Sequence, residues 1–177
     1  AYMNNGKKVK IPLANIFLKN STLLYNSGLV TKEADARQIL KVEFSDRTYI
    51  RIDSMLCYPV DTVGTNILYC AKKIDMDAFR QSRANNASIT NLNITDMLSY
   101  STIDMEDPQD IHFPIIPIFY YKLGDKFVLV HERHLKRVLD KEHKRLMASV
   151  MSQDGFSWTD EESLIKLLRI LTPSGGK

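Results

Sequence analysis

Alternation of apolar and polar positions predicts a β-rich first third of the chain. Three short runs alternate, residues 9–13, 39–44 and 48–52, and a period of two is typical of strands with one buried face. Ser45-Asp46-Arg47 separates the last two runs, which predicts a hairpin between them. A short helix is expected over 31–38, where a threonine that can cap the helix precedes two acids.

Beyond residue 66 the chain is expected to add further strands. Apolar runs predict strands over 66–74, 113–121 and 127–130, with a turn at Gly124 before the last of them. The Asn- and Ser-rich stretch 81–93 is typical of a loop. The strands over 113–121 and 127–130 are therefore expected to form an antiparallel pair.

From Glu132 the apolar spacing lengthens from two residues to three or four, which indicates helices. Leu135, Val138 and Leu139 share one face of a first helix. A last helix begins at Asp160, with Thr159 as its predicted cap. The inner side of this helix carries four leucines: Leu164, Leu167, Leu168 and Leu171.

Composition narrows the class of protein. With 177 residues, 44% of them hydrophobic, the chain can build a core, which excludes disorder throughout. No apolar run approaches the roughly 18–20 residues of a membrane helix. The first residues lack the apolar segment of a secretory signal, so we expect a cytoplasmic protein without a membrane partner. Cys57 and Cys70 are then expected to be buried, reduced thiols.

The charge pattern directs attention to the junction at residues 127–137. A net charge of +3 permits contact with a polyanion without requiring it. At the junction a hydrophobic strand ends, a helix begins within two residues, and cationic side chains follow. Free N–H groups at a helix start and paired hydrogen bonds from arginine both suit phosphate, so this is a candidate phosphate site. The alternative is a solvated basic helix face that holds no ligand.

The same junction resembles the signature of the ParB/sulfiredoxin-like superfamily. That family has a strand pair, P-I-x-V and G-x-Y-x-V, followed by G-E-R-R-x-R-A at a helix start. Here residues 114–118 read P-I-I-P-I, residues 124–130 read G-D-K-F-V-L-V, and residues 131–136 read H-E-R-H-L-K. The glutamate and first arginine of the motif are present, a histidine replaces its glycine, and Lys136 replaces its last arginine.

Other parts of the chain resemble the family in the same order. Residues 74–83 resemble its opening strand and Q-P-R turn, with Gln81-Ser82-Arg83 in the turn, and 95–100 fall where it has a short helix. Residues 143–150 resemble the strand after the motif helix. Residues 158–171 resemble a further helix, although its E-N-x-x-R motif is absent.

The resemblance implies an α+β fold with three parts. Residues 67–171 would form a ParB/sulfiredoxin-like domain with a mixed sheet and helices, preceded by an N-terminal β-rich segment over 1–66 and followed by a flexible tail over 172–177. Such a domain binds a nucleotide, here CTP or ATP with Mg²⁺, or a nucleic-acid phosphate. The process would be a DNA-related one of a plasmid or phage, and weak NTPase or nuclease activity is the catalytic form of this hypothesis.

The resemblance and the local chemistry assign roles to individual side chains. Glu132 is expected to position Mg²⁺ or a water molecule, and His134 to act as an acid or base. The residues expected to hold phosphate are Arg83, His131, Arg133 and Lys136. Further cations are expected to contact nucleic acid: Arg137, Lys141, Lys144 and Arg145. We expect no metal site made of protein ligands, because the spacing of the two histidines is not H-E-x-x-H and no cysteine lies nearby.

Two other classes of function stay open. The motif substitutions favour a degenerate family member that acts as a protein interaction module, with strand edges in the N-terminal segment for pairing. Six Lys or Arg against three acids over 132–145 favour a non-specific DNA- or RNA-binding protein. A strand over 146–150 would support the family alignment, whereas one helix over 132–153 would break it after residue 140.

Overall fold

A computed structural model describes residues 1–85 and 113–172. The strands are β1 Tyr2–Met3, β2 Ala14–Phe17, β3 Thr22–Ser27, β4 Val30–Glu33, β5 Ile39–Glu43, β6 Thr48–Ile52, β7 Met55–Val63, β8 Asn66–Ile74, β9 Ile115–Leu123 and β10 Lys126–Leu129. The helices are α1 Met76–Asn85, α2 Glu132–Val138, α3 Lys141–Met151 and α4 Glu161–Leu171, with a 3₁₀ helix over Ala36–Gln38.

The strands form two antiparallel sheets. Seven strands follow the order β1-β5-β6-β7-β8-β9-β10, and three follow the order β2-β3-β4. Every pairing between named strands of the described residues is antiparallel. The α+β class is therefore confirmed, but the mixed sheet is not found in this part of the chain. Four pairings of the larger sheet are hairpins, in which a short turn makes the two strands antiparallel: β5–β6, β6–β7, β7–β8 and β9–β10.

The predicted hairpins are confirmed where alternation and turn residues agree. β5 pairs with β6, placing Lys41 opposite Ile50, and the N–H of Phe44 donates to the carbonyl of Arg47 across the turn at 2.9 Å. β9 and β10 also form a hairpin. Gly124 lies in its turn with φ of 60°, a left-handed conformation that suits glycine.

The expected boundary at residue 66 falls inside the larger sheet. Asn66 is the first residue of β8 and lies opposite Val63 of β7. β7 belongs to the expected N-terminal segment and β8 to the expected domain, and the two strands pair along most of their length. That residues 67–171 form a domain distinct from residues 1–66 stays a prediction.

The side chain of Asn66 joins three distant parts of the fold. It is buried, its Nδ2 donates to Oγ1 of Thr172 at 3.0 Å, and its Oδ1 accepts from the N–H of Gly124 at 3.1 Å. Two hairpin turns and the residue after the last helix therefore meet at one amide. Thr172, the first residue of the expected tail, takes part in the fold, and residues 173–177 lie outside the described residues.

The two faces of the larger sheet have different partners. One face packs against α2, α3 and α4 through the main apolar cluster, in which Leu68 and Tyr121 are fully buried. The opposite face carries a smaller cluster that includes Tyr69 and Tyr120. Alternation along β8 and β9 separates the two clusters, as the pleat of a strand requires. The helix-covered face holds the sheet side of the candidate site.

Two predictions in the N-terminal region are wrong. Residues 9–13 are not a strand, because β2 begins only at Ala14, after Pro12, which has no N–H for a ladder. Residues 31–38 are not one helix, because β4 pairs with β3 through a turn at Gly28 with φ of 69°. Only the 3₁₀ helix follows, capped by Asp35. β-Branched Val30 and Thr31 favour the strand over the helix.

Two elements of the family resemblance are also wrong. Residues 76–83 belong to α1 instead of a strand and Q-S-R turn, because Asp75 accepts from the N–H groups of Asp77 and Ala78 and starts a helix. Residues 146–150 belong to α3 instead of a strand. The loop predicted over 81–93 is helical as far as Asn85, and its remainder lies outside the described residues, as does the helix expected over 95–100.

The last two helices, α3 and α4, begin at aspartate caps. Asp140 accepts from the N–H of His143 at 2.8 Å and begins α3. Asp160, not the predicted Thr159, caps α4 by accepting from the N–H of Ser163 at 2.8 Å. The chain is extended between α2 and α3. Residues 132–151 therefore form two helices, neither the strand nor the single helix considered from sequence.

Both cysteines are free and buried, as predicted. Burial raises the pKa of Cys57 to about 12, so its thiol stays protonated near neutral pH. Within residues 1–85 and 113–172, none of the helices has the length and apolar character needed to cross a membrane.

Candidate nucleic-acid interface

The predicted strand-to-helix junction is confirmed. β10 ends at Leu129, and the N–H of Val130 donates to the carbonyl of Phe119 at 2.8 Å, so the chain stays on the sheet until the helix begins. His131 is the N-cap of α2, and its Nδ1 accepts from the N–H of Arg133 at 3.3 Å. A histidine in the place of the motif glycine thus uses one of the free N–H groups itself.

α2 is a seven-residue helix with one buried anchor. Leu135 is fully buried in the main apolar cluster. Arg133, Lys136 and Arg137 are exposed and have i, i+3, i+4 spacing, which places them on one face. Glu132 forms an ion pair with Lys136 one turn away.

α3 repeats this arrangement eight residues further on. Lys141, Lys144 and Arg145 have the same i, i+3, i+4 spacing, whereas Met147 and Val150 are buried. Lys141 and Arg145 are exposed and Lys144 is half-buried. We call these six cations of α2 and α3 the basic surface: Arg133, Lys136, Arg137, Lys141, Lys144 and Arg145.

The basic surface accounts for the net charge of the chain. Residues 132–145 hold six Lys or Arg and three Asp or Glu. The whole chain has 24 and 21, which leaves 18 of each elsewhere and a segment surplus equal to the net charge of +3. Two of the three acids in the segment have partners in their own helix or cap: Glu132 pairs with Lys136, and Asp140 with His143. The positive charge of this protein is therefore concentrated on one pair of helices.

Local contacts set the charge state of Asp140. The backbone N–H and the imidazole of His143 both hydrogen bond to its carboxyl group and hold the pKa of Asp140 below its usual value. The carboxylate stays ionised and fixes the start of α3. His143 is thereby directed toward Asp140 at 2.8 Å.

Aromatic rings lie next to the basic surface, in a part of the site that sequence reasoning missed. The rings of His131 and Trp158 are stacked, with centroids 6.2 Å apart and planes at 25°. Trp158 contacts Phe156 edge-to-face at 5.0 Å, and His131 contacts His134 at 6.1 Å. Trp158 and Phe156 belong to the loop between α3 and α4, and only the tertiary fold brings them to the junction. Their presence in a short loop, together with the chain's one tryptophan, was the available signal.

The predicted site residues are placed as follows. Five of them lie at the start of α2 or within its first two turns: His131, Glu132, Arg133, His134 and Lys136. Arg137 ends the α2 group, and Lys141, Lys144 and Arg145 lie on α3. Arg83 belongs to α1, and its side chain lies outside the described residues.

The contacts of Glu132 concern its predicted catalytic and cofactor roles, which stay predictions. Glu132, expected to position Mg²⁺ or a water molecule, is paired with Lys136, and the cap of α2 is already provided by His131. Among residues 1–85 and 113–172, no three His, Cys, Asp or Glu side chains form a group that could hold a metal ion. CTP or ATP with Mg²⁺ stays a prediction.

Comparisons with protein-family models, with curated proteins and with solved structures gave no match. The ParB/sulfiredoxin-like resemblance therefore stays a hypothesis based on the junction motif.

Proposed function

We propose that this protein binds the phosphate groups of a nucleic acid through the basic surface of α2 and α3. The observation that carries the proposal is the repeated i, i+3, i+4 set of cations beginning at Arg133 and again at Lys141, on a chain that is otherwise neutral. Phosphate contacts by Lys and Arg release counterions and supply most of the non-specific affinity for nucleic acid.

The packing of the two helices supports this role. Leu135, Met147 and Val150 are buried, so each helix is held by its apolar side. Five of the six cations are exposed, and Lys144 is half-buried. Arginine grips phosphate with two parallel hydrogen bonds, and lysine adds a mobile point charge. A mixed surface of this kind positions a phosphate backbone without reading its sequence.

The test is the binding of labelled oligonucleotides, measured by fluorescence anisotropy between about 50 and 200 mM salt. The variant Arg133→Gln/Arg137→Gln/Lys141→Gln removes three charges from the basic surface. Its affinity should fall, and the slope of log affinity against log salt should decrease by about one for each phosphate that the variant no longer neutralises. Equal affinities of this variant and the wild type would contradict the proposal.

A charge-matched control separates the basic surface from net charge. The variant Lys32→Gln/Lys72→Gln/Arg169→Gln also removes three exposed cations, from β4, β8 and α4. It should keep the wild-type affinity and salt slope. If both variants lose the same affinity, binding depends on overall charge alone and the assignment to α2 and α3 is wrong.

The nucleotide hypothesis needs its own experiment. Melting temperatures with CTP, ATP, GTP and UTP, each with and without Mg²⁺, detect any ligand that binds the folded state. A shift with one nucleotide that is lost in Arg133→Ala would replace the nucleic acid with a nucleotide as the ligand. No binding of nucleotide or nucleic acid would leave the protein interaction module as the function to examine.

A further inference from the structure

Four aromatic rings form a continuous row at one end of the basic surface. Phe156, Trp158, His131 and His134 contact one another in that order, at centroid distances of 5.0, 6.2 and 6.1 Å. We call this set the ring row. The contact between Trp158 and His131 is a stack, whereas the other two are edge-to-face.

One end of the ring row packs against the core, and the other end is exposed to solvent. Phe156 and Trp158 are half-buried and pack against the main apolar cluster. Their loop is fixed by hydrogen bonds, among them the N–H of Ser157 to Oγ of Ser163 at 3.3 Å. His131, at the other side of the stack, is exposed. The imidazole of His131 therefore lies between the packed indole of Trp158 and the solvent.

The exposed end of the ring row adjoins the first cation of the basic surface. His131 caps α2 by accepting from the N–H of Arg133, so the exposed ring and the exposed guanidinium are two residues apart. A phosphate on Arg133 would bring the attached nucleotide beside the imidazole. Aromatic faces next to a cationic track are the combination by which proteins bind single strands without sequence preference.

We infer that the ring row stacks on unpaired bases, so that the nucleic acid bound by the basic surface is single-stranded. This inference rests on the proposed function. In a duplex the bases are already paired and stacked on one another, so their faces are not free to stack on the ring row. A single strand offers free base faces, and each base stacked on an aromatic ring strengthens binding by roughly tenfold to a hundredfold.

Trp158 is the only tryptophan of the chain, so its fluorescence reports directly on the ring row. Three probes are titrated into the full chain: a single-stranded oligothymidine of about twelve nucleotides, a duplex of the same length, and inorganic polyphosphate, which has charge but no bases. Oligothymidine should quench the tryptophan fluorescence and bind at least about tenfold more tightly than the duplex. Duplex and polyphosphate should bind by charge without quenching.

The variant His131→Asn isolates stacking from helix capping. Asparagine is a good N-cap, so α2 keeps its start while the ring is removed. Affinity for oligothymidine should fall about tenfold, with duplex affinity unchanged. His143→Asn, which changes a histidine outside the ring row, should bind both probes like the wild type. If His131→Asn is unfolded, the wild-type quenching comparison still decides the question.

The outcomes separate this inference from the proposed function. Equal affinity for single strand and duplex without quenching would overturn the inference and leave the basic surface as a general phosphate-binding site. Quenching of the same size by polyphosphate would also overturn it, because the signal would then not come from bases. If no probe binds, the proposed function fails first, and the inference fails with it.

Discussion

α3 and α4 are both eleven residues long, yet they relate to the sheet in different ways. α4 buries five side chains: Ser163, Leu164, Leu167, Leu168 and Leu171. α3 buries only Met147 and Val150. The apolar stripe of α4 is as wide as expected for a helix that belongs to a core, and that of α3 is narrower.

The hydrogen bonds of the two helices follow the same division. The hydroxyl of Tyr121, in β9 of the larger sheet, donates to the carbonyl of Leu164 in α4 at 2.6 Å. α3 instead presents Lys141 and Arg145 to solvent. α4 therefore mainly stabilises the core, whereas α3 and α2 carry on their outer sides the cations that we propose to bind phosphate.

The largest expected effect comes from removing a leucine of α4. Leu167→Ala should lower the free energy of unfolding by about 2–5 kcal/mol, because Leu167 is fully buried and the change leaves a cavity. Leu146→Ala in α3, where the leucine is 39% exposed, should have a much smaller effect. Urea denaturation of both variants measures the difference. Similar decreases would show that the two helices are equally important for stability.

Tyr121→Phe should have the next largest effect. The change keeps the ring packed and removes only the hydroxyl that bonds to Leu164. The carbonyl of Leu164 loses its second hydrogen bond and keeps the one within α4, so the free energy of unfolding should fall by about 0.5–1.5 kcal/mol. The denaturation midpoint should shift, while oligonucleotide binding at α2 and α3 stays unchanged. A decrease in binding together with stability would mean that the core and the basic surface are coupled.

A smaller effect is expected at the cap of α4 and depends on pH. The hydroxyl and the N–H of Ser163 hold the pKa of Asp160 below its ordinary value of 3.8. The ionised carboxylate therefore contributes stability above that value, and the contribution is lost as pH falls through the lowered pKa. Asp160→Asn keeps a cap but cannot titrate.

Denaturation midpoints of Asp160→Asn and the wild type between about pH 2 and pH 7 provide the measurement. The variant should lose less stability than the wild type as the solution is acidified. Asp140→Asn, at the cap of α3, is the matched comparison, because hydrogen bonds from His143 lower the pKa of Asp140 in the same direction. Since the size of each pH effect follows only the lowering of that carboxyl's pKa in the folded state, both variants should lose less stability than the wild type on acidification.

The smallest change in stability is expected for the basic surface itself. Arg145→Gln removes an exposed cation of α3 and should change the free energy of unfolding by less than about 0.5 kcal/mol. Its affinity for oligonucleotides should nevertheless decrease. A clear destabilisation by Arg145→Gln would indicate that this side chain supports the fold, which is contrary to the division between α3 and α4.

The parts of the fold that sequence predicted are those where local signals agree. β5, β6 and the hairpin at Gly124 have alternation and turn residues that favour one structure, and the leucine spacing of α4 leaves no alternative to a helix. Residues 146–150 lack this agreement, because Leu146, Ala148 and Val150 alternate as in a strand. Met147 and Val150 are instead spaced as on one face of a helix. The Asp140 cap decides for the helix.

Only the part of the candidate site that is formed by residues close together in the chain was predicted from the sequence. Arg133 and the other cations of α2 and α3 can be found by reading consecutive residues. The stack of Trp158 on His131 cannot, since the two residues are 27 positions apart in the chain and meet only after α3 has packed. Spacing along one helix is visible in a sequence, whereas contact between a loop and a helix start depends on the whole core.

Asn66 has a consequence for how the protein is made. Its amide and its partner Thr172 are separated by 106 residues, and synthesis proceeds at about 5–20 residues per second. During translation, roughly 5–20 s therefore pass between the addition of Asn66 and the addition of Thr172, which completes the hydrogen bonds of the Asn66 amide. A chain that ends before Thr172 would leave the Asn66 amide with only one of its two hydrogen-bond partners, the N–H of Gly124.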